Sequence, residues 1–268
     1  MRIALCFYGL VGSKINKNGE GEDLDPKIAF DYYDLNILTQ NSNIDIFIHT
    51  WSVKHKNKLI KLYRPRDYIF EDQKDFKESE YHHNIHDINY PKGIKNILIK
   101  KFHNKKFKFN LETTTKSAFR AYSRWYSSKK SIDLMTNYEI KKNIKYDMVM
   151  ITRLDLGFFK RVNFKELDVN NFYAGYRNNA PSIKNKFKGD YKNEYIGEQF
   201  NDLWFISNSD NMKKFSKLFD YINNYDISPH ISSYQHTVKY VKPIKIEYKF
   251  FRWFDYELIR RKVYDSKN

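Results

Sequence analysis

The sequence predicts an α/β fold with a mostly parallel central sheet and helices on both faces. Two observations carry this. Short apolar runs (RIALCFY, IDIFIH, YDMVMIT, DLWFI) alternate along the chain with longer segments of helical periodicity. These runs are apolar rather than strictly alternating, which marks strands buried on both faces and joined by helical crossovers. The length of 268 residues suits one domain with a full core. It is read as a single domain over 1–268 with an irregular or partly helical insertion at 71–112.

The elements follow in order. Residues 2–8 form a buried strand closed by Gly9. Residues 9–25 are a polar loop that holds four of the nine glycines. Asp25-Pro26 is an N-cap followed by proline at the first helical position, and the helix runs to about Leu38. Residues 44–49 are the second strand, 54–63 a short helix and 68–70 a third strand. Residues 115–142 are a long helix, with Ala118, Tyr122, Trp125, Ile132 and Met135 on one face. Strands follow at 146–152, 172–176 and 202–206. Ser207-Asn208 caps a helix running to about Asn224. A helix over 232–241 and a strand over 244–248 complete the core, and the basic end at Arg260-Arg261-Lys262 is expected to fray.

Composition removes several function classes. Hydrophobic residues at 41% and aromatics at 18% exclude a disordered chain. The net charge of +16 invites a nucleic-acid reading, but it comes from 37 lysines and only 11 arginines. A specific reader of phosphates and bases favours the bidentate fork of arginine. The charge still attracts an anionic substrate such as a nucleotide diphosphate. The single cysteine, Cys6, lies in an apolar run and excludes cysteine-rich zinc sites. No secretory leader and no run of membrane-spanning length is recognised, so a cytoplasmic location is expected.

In a parallel sheet, ligands bind at the carboxyl ends of strands. Three polar sites follow predicted strands: the glycine loop after Tyr8, His49-Thr50-Trp51, and Arg153-Leu154-Asp155. A fourth, Glu198 to Asp202, lies just before a strand. The glycine loop is neither a P-loop nor a dinucleotide fingerprint. It is either a flexible turn or a backbone approach to a nucleotide, with Lys14 or Lys17 near the diphosphate. Arg153 and Asp155 are either a metal and diphosphate site or a buried ion pair that orients the strand end. Glu198 and Asp202 are either a general-base pair for an acceptor hydroxyl or a cap and solvated pair. His230 and His236 are weak candidates for a metal ligand or a phosphate donor. His82, His83 and His86 read as surface.

Four stretches carry a family resemblance: RIALCFYGLVGSK, IDIFIHTWS, YDMVMITRLDLGFF and EQFNDLWFISNSDNMKKFSKLFDYI. In that order, spanning residues 1 to about 240, the chain resembles the GT-A-like glycosyltransferases of bacterial surface-polysaccharide clusters and of large viruses and phages. The resemblance implies a GT-A fold, a nucleotide-sugar donor and a Mn²⁺ or Mg²⁺ cofactor. It implies a glycan or lipid-linked glycan acceptor, with peripheral membrane contact allowed and no specific nucleic-acid partner. It puts Asp155 in the acidic metal and diphosphate motif, with Arg153 where a D-x-D enzyme has its first carboxylate. It assigns Asp202, and second Glu198, as catalytic base. Tyr8, Gly9, Lys14, His49 and Trp51 join Arg153 and Asp155 in holding the donor. Two alternatives stand beside it: a basic non-catalytic module for nucleic acid or anionic polymer, and an inactive GT-A-like interaction domain.

Overall fold

The computed structural model describes residues 1–13, 22–79, 104–176 and 199–260, with the side chains of the long helix described from Ala118. The order is β1 (Ile3–Gly9), α1 (Pro26–Tyr33), β2 (Ile44–Thr50), α2 (Lys56–Tyr63), β3 (Asp67–Phe70), α3 (Asn104–Lys142) and β4 (Met148–Arg153). There follow β5 (Leu156–Phe158), β6 (Asn171–Tyr176), β7 (Asn201–Ser207), α4 (Ser209–Ser216), α5 (Pro229–His236), β8 (Lys245–Phe251) and β9 (Tyr256–Leu258).

Seven strands form one sheet in the order β3-β2-β1-β4-β7-β6-β8. Neighbours pair in parallel except at β7, which runs against both β4 and β6. The mostly parallel α/β expectation therefore holds. β1 explains the layering. Its residues Ala4, Cys6 and Tyr8 enter one core with Trp125 and Met135 of α3 and Phe215 of α4. The intervening Ile3, Leu5 and Phe7 enter a second core with Tyr33 of α1 and Leu59 and Tyr63 of α2. An all-apolar strand thus feeds two faces at once, because successive side chains point to opposite sides.

The helix starts follow local chemistry. Asp25 accepts the Lys27 backbone N–H at 2.8 Å, and Pro26 stands at the first helical position. Asn208 caps α4 by accepting from the Asn211 N–H, as expected.

Three expectations change. The long helix begins at Asn104 rather than 115, inside the segment read as an insertion. The threonines at 113–115 do not interrupt it, because each costs only about a few tenths of a kcal/mol in a helix. Helix α4 stops at Ser216 rather than near Asn224, and Leu218 and Ile222 stay buried across turns instead. The strands β5 and β9, three residues each, pair antiparallel as a separate two-stranded sheet. This pairing ties residues 256–258, which the sequence assigns to no element, back to the residues just after β4; of the end expected to fray, Arg261 and Lys262 lie outside the described residues.

Candidate functional site

The parallel strands β1, β2 and β4 deliver Tyr8-Gly9, His49-Thr50 and Arg153 to one rim. Because β7 runs the other way, its first residues arrive at the same rim. Trp204 pairs with Thr152, so Asp202 lies beside the end of β4. The Tyr8 hydroxyl reaches across β4 and donates to the Asp202 carbonyl at 3.0 Å. A site before a strand and sites after strands are thereby brought together.

Charge is concentrated here. Arg153 donates through Nε to Asp155 Oδ1 at 2.6 Å and through a terminal nitrogen to Oδ2 at 2.7 Å, a bidentate pair. A second guanidinium, Arg260, stands 3.7 Å from Asp155 Oδ2. It is delivered by the segment after β9, where Ile259 N–H donates to the Asp155 carbonyl at 2.9 Å. A third, Arg124 of α3, pairs with Asp202 Oδ2. His230, in the first turn of α5, puts Nδ1 3.2 Å from Asp202 Oδ1 and 2.9 Å from the Phe200 carbonyl. Asp155 is fully buried. Burial alone would raise its carboxyl, but Arg153, Arg260 and Arg124 outweigh burial and hold it below its ordinary value. Arg124 is lowered to about 10, chiefly by burial. The Tyr8 hydroxyl is raised, burial again leading.

Gly12 closes the site from above. Its φ is +92°, and a Cβ there would lie 3.0 Å from Asp155 Cβ. Only glycine allows both the turn and this approach. The bond from Leu24 N–H to the Gly12 carbonyl and the Ser13–Asp23 bridge anchor the loop's two ends.

Beside the charged cluster lies a second hydrogen-bonded network. Gly9 N–H donates to Ser127 Oγ at 2.9 Å. Ser127 Oγ is 2.7 Å from His49 Nδ1, and His49 Nε2 is 2.9 Å from Glu71 Oε1. A carboxylate only accepts, so Nε2 carries the proton and Nδ1 accepts from the serine. Burial holds His49 below its ordinary value. Trp51 stacks on Tyr126 at 5.6 Å between centroids and meets His49 edge-on at 4.8 Å. It is a buried member of this packing, only 7% exposed.

The predicted residues therefore divide. Tyr8, Arg153, Asp155 and Asp202 converge, and Gly9, His49 and Trp51 form the adjoining network. Lys14, Glu198, His82, His83 and His86 lie outside the described residues. His236 is fully buried elsewhere on α5, with Nδ1 3.0 Å from the Tyr225 hydroxyl and Nε2 3.0 Å from the Lys214 carbonyl. Both ring nitrogens are engaged, which leaves no lone pair for a metal. Among the described residues no group of three or more His, Cys, Asp and Glu side chains gathers as a metal site would require. Both oxygens of Asp155, the residue expected to hold a divalent cation, are engaged by Arg153.

Arg124 and Arg260 were not named as site residues from sequence, and His230 was named only as a weak metal ligand or phosphate donor. A signal was present for the first. Arginine is scarce in this lysine-rich chain, and Arg124 falls within the long helix. No family model matches the chain, and no curated protein is detectably similar to it. Among the described residues no helix is long and apolar enough to cross a membrane.

Proposed function

We propose that the chain is a glycosyltransferase that passes a sugar from a nucleotide-diphosphate donor to an acceptor hydroxyl. The observation that carries this is the convergence produced by antiparallel β7. It sets Asp202 and its partner His230 beside Arg124, Arg153 and Arg260 at the carboxyl rim. This supplies the two things the transfer needs. A departing diphosphate requires preorganised positive charge, and the acceptor hydroxyl requires a proton acceptor.

The step balances as a direct displacement. The acceptor oxygen forms a bond to the anomeric carbon while the bond from that carbon to the donor phosphate oxygen breaks. The bonding pair leaves on the nucleoside diphosphate, and the acceptor proton passes to the Asp202–His230 pair. The local bonds divide the labour within the pair. Both partners of His230 Nδ1 are acceptors, the Asp202 carboxylate and the Phe200 carbonyl. Nδ1 therefore carries the proton and Nε2 the lone pair. Asp202, paired with Arg124, orients the imidazole and steadies the charge it gains.

The test is incubation with a panel of UDP-, GDP-, CDP- and dTDP-sugars, reading release of nucleoside diphosphate to added glycan or to water. Release from one donor family, lost in Arg124→Ala, is the expected result. No release, combined with no change in melting temperature for any nucleotide, overturns the reading.

A further inference from the structure

We infer that the turn between α5 and β8 is a docking surface for an anionic lipid bilayer. It lies at the other end of the sheet from the charged rim and stands independently of the glycosyltransferase reading.

Three observations carry it. The first is a concentration of exposed apolar side chains. Val238, Tyr240 and Ile244 are all exposed, Ile244 at 83%, and the exposed Tyr221 packs on Tyr240 with ring centroids 5.1 Å apart. Single exposed apolar residues are ordinary, whereas a contiguous group marks a contact surface. The backbone produces the exposure. Thr237 and Val241 are the buried residues of one π-helical turn, so Val238, Lys239 and Tyr240 between them face solvent. Lys242 then adopts φ +51° and ends the helix, and Pro243-Ile244 projects before β8 begins.

The second is charge. Lys239, Lys242 and Lys245 alternate with these apolar residues, and residues 227–246 contain no Asp or Glu. Lys245 pairs with Glu247 at 2.9 Å. Among the described residues neither Lys239 nor Lys242 forms an ion pair, and both are exposed. A segment of this composition buries its apolar side chains at the headgroup boundary while its lysines meet anionic lipid. A polynucleotide would engage the lysines and leave Val238 and Ile244 without a role.

The third is place. β8 runs parallel to β6, and β7 runs against both β6 and β4. β8 and β4 therefore point the same way, and the turn that precedes β8 lies opposite the rim reached by Arg153. A bilayer docked there leaves the rim open to water.

The experiment is flotation of the full chain with vesicles of phosphatidylcholine alone, and of phosphatidylcholine and phosphatidylglycerol in equal parts, at low and physiological salt. Circular dichroism confirms the fold of each variant. The expected result is partition onto the mixed vesicles, weakened by salt, with little onto the neutral ones. Ile244→Ser lowers the partition coefficient about tenfold, as loss of a buried aliphatic side chain does. Lys239→Gln with Lys242→Gln lowers it about fivefold per lysine. No partition onto mixed vesicles, or partition unchanged in these variants, overturns the inference. Binding of a random polynucleotide that needs the two lysines and ignores Ile244→Ser, with no vesicle binding, overturns it in favour of nucleic acid. Nucleotide release is read without vesicles, so its absence overturns the transferase reading and leaves the docking surface standing.

Discussion

Two polar networks sit side by side at the same sheet rim, and they are built on opposite principles. In the Gly9–Ser127–His49–Glu71 chain a neutral histidine passes hydrogen bonds from a backbone N–H to a carboxylate, and Lys74 stands 3.4 Å from the other Glu71 oxygen. In the cluster around Asp155 and Asp202 the bonds run between guanidinium groups and carboxylates. The first is a relay of shared protons and the second a set of ion pairs. A buried polar group at a strand end is thus ambiguous by itself. What separates the two networks is whether protons or full charges hold them.

That contrast can be broken or sharpened by substitution. The largest effect is expected for Asp155→Asn. It leaves Arg153 and Arg260 without their anion, which should cost about 3–5 kcal/mol of stability, read from urea unfolding at neutral pH. The buried pair predicts that stability and transfer both suffer, and an unfolding midpoint equal to the parent's would make the pair dispensable. The acid limb gives the sign. The folded-state value of Asp155 is depressed. Its contribution is therefore present above the ordinary carboxylate range and lost as pH falls through the folded value. Asp155→Asn should flatten that limb.

His230→Gln comes next. Turnover should drop about 10²- to 10⁴-fold, the usual span for losing a general base. Nucleotide affinity and the urea midpoint should stay near the parent's. A variant that instead loses nucleotide binding would assign His230 to the donor side.

The histidines of the closed networks predict a pH effect on stability alone. His236 is lowered to about 4, chiefly by burial. The unfolded chain therefore takes up a proton near pH 6.5 that the folded chain refuses. Stability is complete above that value and declines by about 1.4 kcal/mol per unit as pH falls towards 4. His236→Gln should remove most of the slope; a slope that survives would belong to His49 or to the carboxylates. The smallest change is expected for Ser127→Ala. It strips partners from Gly9 N–H and His49 Nδ1, which should cost about 1–3 kcal/mol with nucleotide affinity unchanged. A loss of affinity there would merge the two networks into one site.

The sequence makes the strands legible because seven short apolar runs can be told from helices by length and punctuation. It names four residues of the charged cluster because they sit at strand ends. It does not reveal why Asp202 belongs with them. Strand direction is a tertiary property, and nothing within residues 201–207 says that β7 runs backwards. Arg124 escaped because helical spacing marks only the apolar face of the long helix, and Arg124 is not one of the residues on it. Arg260 escaped because β9 is only three residues long and pairs with another three-residue strand. Neither has enough periodicity to register. Trp51 and His49 were read correctly as strand-end residues, yet their surroundings are full, and fullness is not a sequence property. The GT-A assignment and the cation are proposals of the resemblance rather than of the sheet order.

The β5–β9 pairing has one more consequence. Tyr8 and Arg260, which lie at opposite ends of the described chain, both serve the rim, with Asp155 between them. Tyr256 and Leu258 also belong to the second core, where Tyr256 packs against Phe158 and Trp204. A chain ending before residue 256 would therefore lose part of that core together with Arg260, so the packing of one face of the sheet and the completion of its rim are acquired in the same final step.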